Sequence, residues 1–92
     1  LLSAFLLQAT YIDLYQQGHQ LLDQGRYEEA ERVLQDPASL NPGYAPALKD
    51  LAKTYVKLKL FPEAIDVYKR ITELDRSDIG ARANLAELYA WN

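Results

Sequence analysis

APALKDLAKTYVKLKLFPEAIDVYKRITELDRSD, running from Ala45 to Asp78, is 34 residues long, and its reading decides the fold. Slid by its own length, the chain matches itself. Leu14 falls on Leu48, Gly18 on Ala52 and then Ala86, and Leu21 on Tyr55 and then Tyr89. Gly25 falls on Lys59, Tyr27 on Phe61, Ala30 on Ala64, Leu34 on Tyr68 and Pro42 on Arg76. A fixed period of this length is the signature of stacked supersecondary units. The matched residues are mostly small or apolar, as a junction between packed units requires.

Within the stretch, the spacing predicts two helices. Tyr44 to Leu58 is one, with Pro46 in its first turn and Leu48, Leu51, Ala52, Tyr55 and Leu58 along one side. Pro62 to Leu74 is the other, with Ala64, Ile65, Val67, Tyr68 and Ile71 inward. Ahead of them, Leu1 to Gln24 reads as one long helix with two apolar stripes. Ala4, Leu7, Tyr11, Leu14, Gly18 and Leu21 form the first; Leu1, Phe5, Ile12, Tyr15 and Leu22 form the second. A surface helix normally shows one apolar face, so this one is covered on two sides or offers one for binding. Gly25 suits the left-handed position that ends it.

Tyr27 to Gln35 is a short helix with Glu28 and Glu29 in its first turn, where the dipole favours acid. Pro37 is expected to stop it, because proline cannot donate the helical hydrogen bond. Asn41-Pro42-Gly43 is a turn by composition. Ser77 or Asp78 caps a fifth helix, Ile79 to Ala90, with Leu85, Ala86 and Tyr89 facing in. No stretch alternates with period two, so no strand is expected.

Composition sets the outer bounds. Ninety-two residues make one small domain, which buries about 60–65% of its unfolded surface. The net charge of −3 does not suggest nucleic acid. There is no cysteine, so disulfides and thiolate metal sites are excluded. No apolar run is long enough to span a membrane. The chain opens on Leu1, and LLSAFLLQA has no basic leader and runs straight into a helical pattern. The expectation is a chain without its native start rather than the tail of a signal peptide. No compartment is assigned.

A 34-residue helix–turn–helix repeat with this order of small and large residues resembles the tetratricopeptide repeat. The match is carried by Leu48, Leu51, Ala52, Tyr55, Phe61, Ala64, Tyr68 and Ile71 in the central repeat. Leu14, Gly18, Leu21, Gly25, Tyr27, Ala30, Leu34 and Pro42 carry it in the first, and Leu85, Ala86 and Tyr89 in the third. NPGYAPAL, Asn41 to Leu48, is similar to the family's junctions. The resemblance implies an all-α, right-handed α-solenoid of five helices. Its parts are an extension over 1–10, repeats over 11–44 and 45–78, and the first helix of a truncated third repeat over 79–92. Gly18, Ala52 and Ala86, with Ala30 and Ala64, are expected to form notches that Tyr27 and Phe61 fill. Three departures concern Pro37, which should break or shorten the second helix; Gln17, which replaces a large apolar residue; and Arg76, which replaces a proline. They make the first repeat the irregular one, as a solenoid cap would be.

Enzymatic constellations are nearly absent. His19 is the only histidine. Ser3, Ser39 and Ser77 have no histidine beside them, and no glycine-rich phosphate loop or metal-ligand pattern exists. The reading is therefore a non-catalytic module without cofactor or metal. The resemblance implies that the first helix of each repeat lines a concave groove for peptide segments. Ile12, Tyr15, His19 and Leu22 take those places in the first repeat. Lys49, Lys53, Val56 and Lys57 take them in the second, and Ala83, Glu87 and Trp91 in the third. Lys49, Lys53 and Lys57 share one helix face. Beside Tyr15 and His19 they suggest a partner segment with acidic and apolar residues, the alternative being an ordinary solvated lysine face. Family members that clamp chaperone tails hold the carboxylates with lysine, asparagine and arginine. The corresponding places here are Tyr15, His19, Asp50, Gly80 and Asn84, which argues against that use.

The ends carry unmatched apolar residues. Leu1, Leu2, Phe5 and Leu6 at one end, and Leu85, Leu88, Tyr89 and Trp91 at the other, cannot all be buried in this chain alone. Apolar patches of that size mark interfaces. They point to continuation of a longer solenoid or to self-association, with harmless fraying as the alternative. Three roles remain: an interaction module, an oligomerising scaffold, and a targeting subdomain of an enzyme.

Overall fold

The computed structural model describes the backbone of residues 2–91 and the side chains of residues 10–91. Five helices follow one another: α1 (Leu2–Asp23), α2 (Tyr27–Leu40), α3 (Ala45–Lys57), α4 (Phe61–Leu74) and α5 (Ile79–Trp91). No strand occurs among the described residues. Each helix packs on its neighbours in sequence, and α1 also reaches α3. The result is a slab of 46 × 29 × 17 Å, a solenoid of helical repeats. Leu1 lies outside the described residues, as do the side chains of Ala4, Phe5 and Leu7.

Two tight turns repeat the same geometry one period apart. The Gly25 amide donates to the Leu22 carbonyl at 3.0 Å and the Arg26 amide to that of Leu21 at 2.9 Å. The Lys59 amide donates to Val56 at 3.0 Å and the Leu60 amide to Tyr55 at 2.8 Å. Both pairs satisfy helix-terminal carbonyls through a left-handed residue. Gly25 takes φ 75° there and Lys59 takes φ 62°. Glycine adopts that conformation freely, whereas lysine does so at a cost of about 1–2 kcal/mol.

The core lies between the helix pairs. Ala30, Leu34, Ala47, Leu48, Ala52 and Ala64 are fully buried, and Leu51, Tyr68 and Ile71 nearly so. Gly18 is buried as expected, but the residue that fills its notch is Leu34 of α2. A Cβ placed on Gly18 would lie 2.5 Å from Leu34 Cγ and closer still to Cδ2. Tyr27 is instead half-buried and turned to the solenoid's groove. It stands too near the start of α2 to reach the level of Gly18, whereas Leu34 sits two turns further along. Phe61 is half-buried against the core.

The second helix departs from expectation. α2 does not stop at Gln35 but runs through Pro37 to Leu40. An interior proline loses one backbone hydrogen bond and costs about 3 kcal/mol. Here Pro37 and Ala38 are buried in the sheath of neighbouring helices, and the Asn41 amide donates to the Pro37 carbonyl at 3.0 Å. Packing has overridden local propensity.

α5 also faces differently from expectation. Ala81 and Leu88 are its buried residues, whereas Ala86 and Tyr89 are exposed and Leu85 is half-buried. Leu88, expected at an exposed end, belongs to the core. Among the described residues α4 is the one helix whose backbone packs on α5. The repeat pattern gives α5 the facing of α1 and α3, which have helices on two sides. Asp78 supplies the cap, accepting from the Ala81 amide at 3.0 Å, and Ser77 instead donates to Asp75.

Candidate functional site

The stacking leaves a groove of about 420 Å³ across α1, α3 and α5, with Tyr68 of α4 on its floor. The repeat period sets three rows of side chains across it, each 34 residues apart. His19, Lys53 and Glu87 form one row, one residue from each helix. Asp23, Lys57 and Trp91 form the next. Asp50 and Asn84 belong to the third, and Leu22, Tyr27, Val56 and Leu88 complete the apolar lining.

The charges are organised about one buried carboxylate. Asp50 is buried, and its Oδ2 accepts from His19 Nδ1 at 2.6 Å. His19 Nε2 lies 3.5 Å from Asp23 Oδ2. The hydrogen bond to Asp50, then its negative charge, raises the His19 pKa above the ordinary imidazole value. Asp23 adds to that shift, while burial and Lys53 oppose it. The Asp50 carbonyl is held by the Thr54 hydroxyl at 2.7 Å, deep in the core. Burial raises the Tyr68 pKa, opposed by a hydrogen bond to Asn84. Burial, with Asp50 next, raises that of Tyr15.

Of the residues expected on the concave face, His19, Leu22, Lys53, Lys57 and Glu87 line the groove, with Val56 and Trp91 beside them. Ile12, Tyr15, Lys49 and Ala83 do not. Ile12 is half-buried. Tyr15 joins an aromatic cluster, meeting Tyr44 edge-on at 5.5 Å and His19 at a tilt at 5.8 Å, with Tyr11 edge-on to Tyr44 at 5.0 Å. Lys49 pairs with Asp78 at 2.8 Å, tying α3 to the start of α5. This pairing holds the Asp78 carboxyl below its usual range. The lysine stripe therefore splits: one member joins repeats, and two face the groove without an ion pair among the described residues.

Trp91 meets Phe61 edge-on at 6.4 Å and remains 67% exposed at the groove's rim. Leu85 lines a second cleft, on the far side of α5, with Thr72, Glu73, Arg76, Arg82, Ala86 and Tyr89. Asp50, Asp23, Tyr27 and Tyr68 are groove residues that the concave-face pattern did not include. Gln16, Asp50 and Asn84 are polar at the same place in all three repeats, but Gln16 and Asn84 are exposed, so that pattern did not mark Asp50 as a buried groove residue. Among the described residues no group of three His, Cys, Asp or Glu could hold a metal. No described helix is long and apolar enough to cross a membrane.

Comparison with known proteins agrees with this architecture. Among curated proteins, the chain is similar to the rhomboid protease GluP of Bacillus subtilis (strain 168), 31% identical over 77 residues. That match takes in 84% of this chain and spans 15% of the relative's length. Among solved structures, it is similar to the first TPR of Spaghetti (RPAP3) bound to the HSP90 peptide SRMEEVD. The TM-score is 0.55 at 18% identity, over 87% of this chain and 90% of the other. At that identity the likeness is one of fold. The family model of the tetratricopeptide repeat matches residues 21–88. With its helical repeats, its period and that match taken together, the chain belongs to the tetratricopeptide repeat family, whose fold is generally a non-catalytic protein-interaction module.

Proposed function

We propose that the groove across α1, α3 and α5 holds a segment of a partner protein carrying acidic and apolar residues. The observation that carries this reading is the juxtaposition of Lys53 and Lys57, which make no ion pair among the described residues, with an apolar lining of Leu22, Tyr27, Val56 and Trp91. A rigid groove built on helices presents these groups without reordering, which lowers the entropic cost of binding. The fold relative bound to an HSP90 peptide supports a peptide as the kind of ligand. In this chain the clamp places are Tyr15, His19, Asp50, Gly80 and Asn84, none of them lysine or arginine, and Asp50 would repel a terminal carboxylate, so the ligand is read as an internal segment rather than a chain terminus.

The test is fluorescence anisotropy of a labelled octapeptide alternating Glu and Leu. One unit of charge about 6 Å away through water is worth about 0.7 kcal/mol. Lys53→Glu changes the groove by two units and is expected to weaken binding about tenfold. Unchanged affinity in both Lys53→Glu and Lys57→Glu would sink the reading.

A second reading rests on the likeness to GluP. In it the chain is a non-catalytic part of a rhomboid protease and captures substrates or regulators for a catalytic part elsewhere. Proteolysis of a groove-binding substrate by the intact protein, lost on Lys53→Glu but retained for other substrates, is the expected result. Self-association through the exposed Ile79, Tyr89 and Trp91 is the remaining role. Light scattering showing a monomer at high concentration would remove it.

A further inference from the structure

The groove's charge turns on a single proton. His19 is half-exposed at the rim, and Asp50, its partner at 2.6 Å, is buried. Asp23 on the same helix and Asp50 and Lys53 on α3 act on the His19 charge, and Tyr15 lies beside its ring; Tyr27 on α2, Lys57 on α3, Tyr68 on α4 and Glu87 on α5 line the same groove. Tyr44, at the start of α3, stands behind Tyr15. With His19 protonated, three cations (His19, Lys53, Lys57) meet three anions (Asp23, Asp50, Glu87). With His19 neutral, two cations meet three anions. Of all these groups only histidine ordinarily titrates between about pH 5.5 and about pH 8.5.

We propose that His19 and Asp50 form a specificity element in which protonation of His19 sets whether the groove favours acidic or basic partner segments. This rests on the reading of the groove as a peptide site. In the imidazolium state Asp50 is neutralised within the protein, and the two lysines act on the ligand without opposition from below. Once the proton leaves, Asp50 is an uncompensated buried carboxylate beneath the ligand. It repels acidic side chains and attracts basic ones. The hydrogen bond to Asp50 and the Asp50 charge hold the proton on His19 to higher pH than in a free imidazole. The switch therefore falls above the ordinary histidine range rather than below it. Lys53 is the groove neighbour whose charge opposes it.

Three labelled octapeptides test this on the intact chain: alternating Glu and Leu, Gln and Leu, and Lys and Leu. The measurement is anisotropy from about pH 5.5 to about pH 8.5. Relative to the Gln peptide, the Glu peptide should bind about threefold more tightly at the acidic end, the effect of one charge at about 6 Å. The Lys peptide should show the opposite slope. His19→Gln, which keeps a hydrogen-bond donor for Asp50 and does not titrate, should flatten both slopes. A folded variant that keeps the wild-type slopes would overturn the proposal. Should His19→Gln fail to fold, the opposite slopes of the Glu and Lys peptides on the wild type decide. Binding of the Glu peptide with a flat profile overturns this inference and leaves the groove reading standing. No binding of the Glu peptide at any pH overturns both.

Discussion

Replacing Gly18 by alanine asks whether the notch against Leu34 locks α1 to α2. In an open helix interior the change is favourable by about 1 kcal/mol, because alanine is the better helix former. In this structure the new Cβ would stand 2.5 Å from Leu34 Cγ, far inside the contact distance of about 3.5–4.0 Å between carbons. Leu34 is fully buried and cannot swing into solvent, so α1 and α2 must separate by about 1 Å. Overpacking of that kind costs about 1–3 kcal/mol. Set against the propensity gain, Gly18→Ala should lower stability by about 1 kcal/mol net, or about 4–8 °C in Tm for a domain of this size. Thermal and urea unfolding of Gly18→Ala, Leu34→Ala and the double variant would measure it. Leu34→Ala alone should cost about 2–5 kcal/mol. In that background, Gly18→Ala should become stabilising, since the clash is gone and the propensity gain remains. A Gly18→Ala variant more stable than the parent, or a cycle without coupling, would refute the packing account.

Other expectations follow from the turns and the charges. Lys59→Gly should stabilise the chain by about 0.5–1 kcal/mol by relieving the left-handed lysine, and Gly25→Ala should destabilise it by about 1 kcal/mol, both read by urea unfolding. His19 has a raised pKa in the folded state, so its stabilising contribution is full below the unfolded value and is lost as pH rises through the folded value. Tm should accordingly fall across that window in the wild type and not in His19→Gln. Asp78 is lowered first by Lys49 and next by the Ala81 amide, so its contribution is present above the ordinary aspartate value and lost as pH falls through the folded one. Lys49→Met should weaken that acid dependence in a Tm-against-pH series.

Much of the fold was legible because its signals are local and repeat. The period of 34, the left-handed Gly25 and the prolines opening α3 and α4 fixed helix count and order. The two-sided apolarity of α1 matched a helix that touches both α2 and α3. What stayed hidden depends on tertiary partners. Pro37 reads as a stop unless the burial that sustains α2 is known. The notch at Gly18 was visible, but the choice between Tyr27 and Leu34 as its occupant depends on how far along α2 the helices meet. The facing of α5 depends on its backbone packing against one described helix, α4. In the groove, the charged row His19, Lys53 and Glu87 was readable from spacing, whereas the His19–Asp50 bond joins residues 31 apart. A mid-helix aspartate gives no sign of burial, and its repeat partners, Gln16 and Asn84, are exposed.

The most direct measurement is a backbone-amide NMR titration of the chain with the Glu/Leu octapeptide. The account predicts that shifts concentrate at Lys53, Val56, Lys57, Glu87 and Trp91, along the groove. Shifts confined to Thr72, Arg76, Arg82 and Tyr89 on the far side of α5, or no shifts at a saturating peptide concentration, would contradict it.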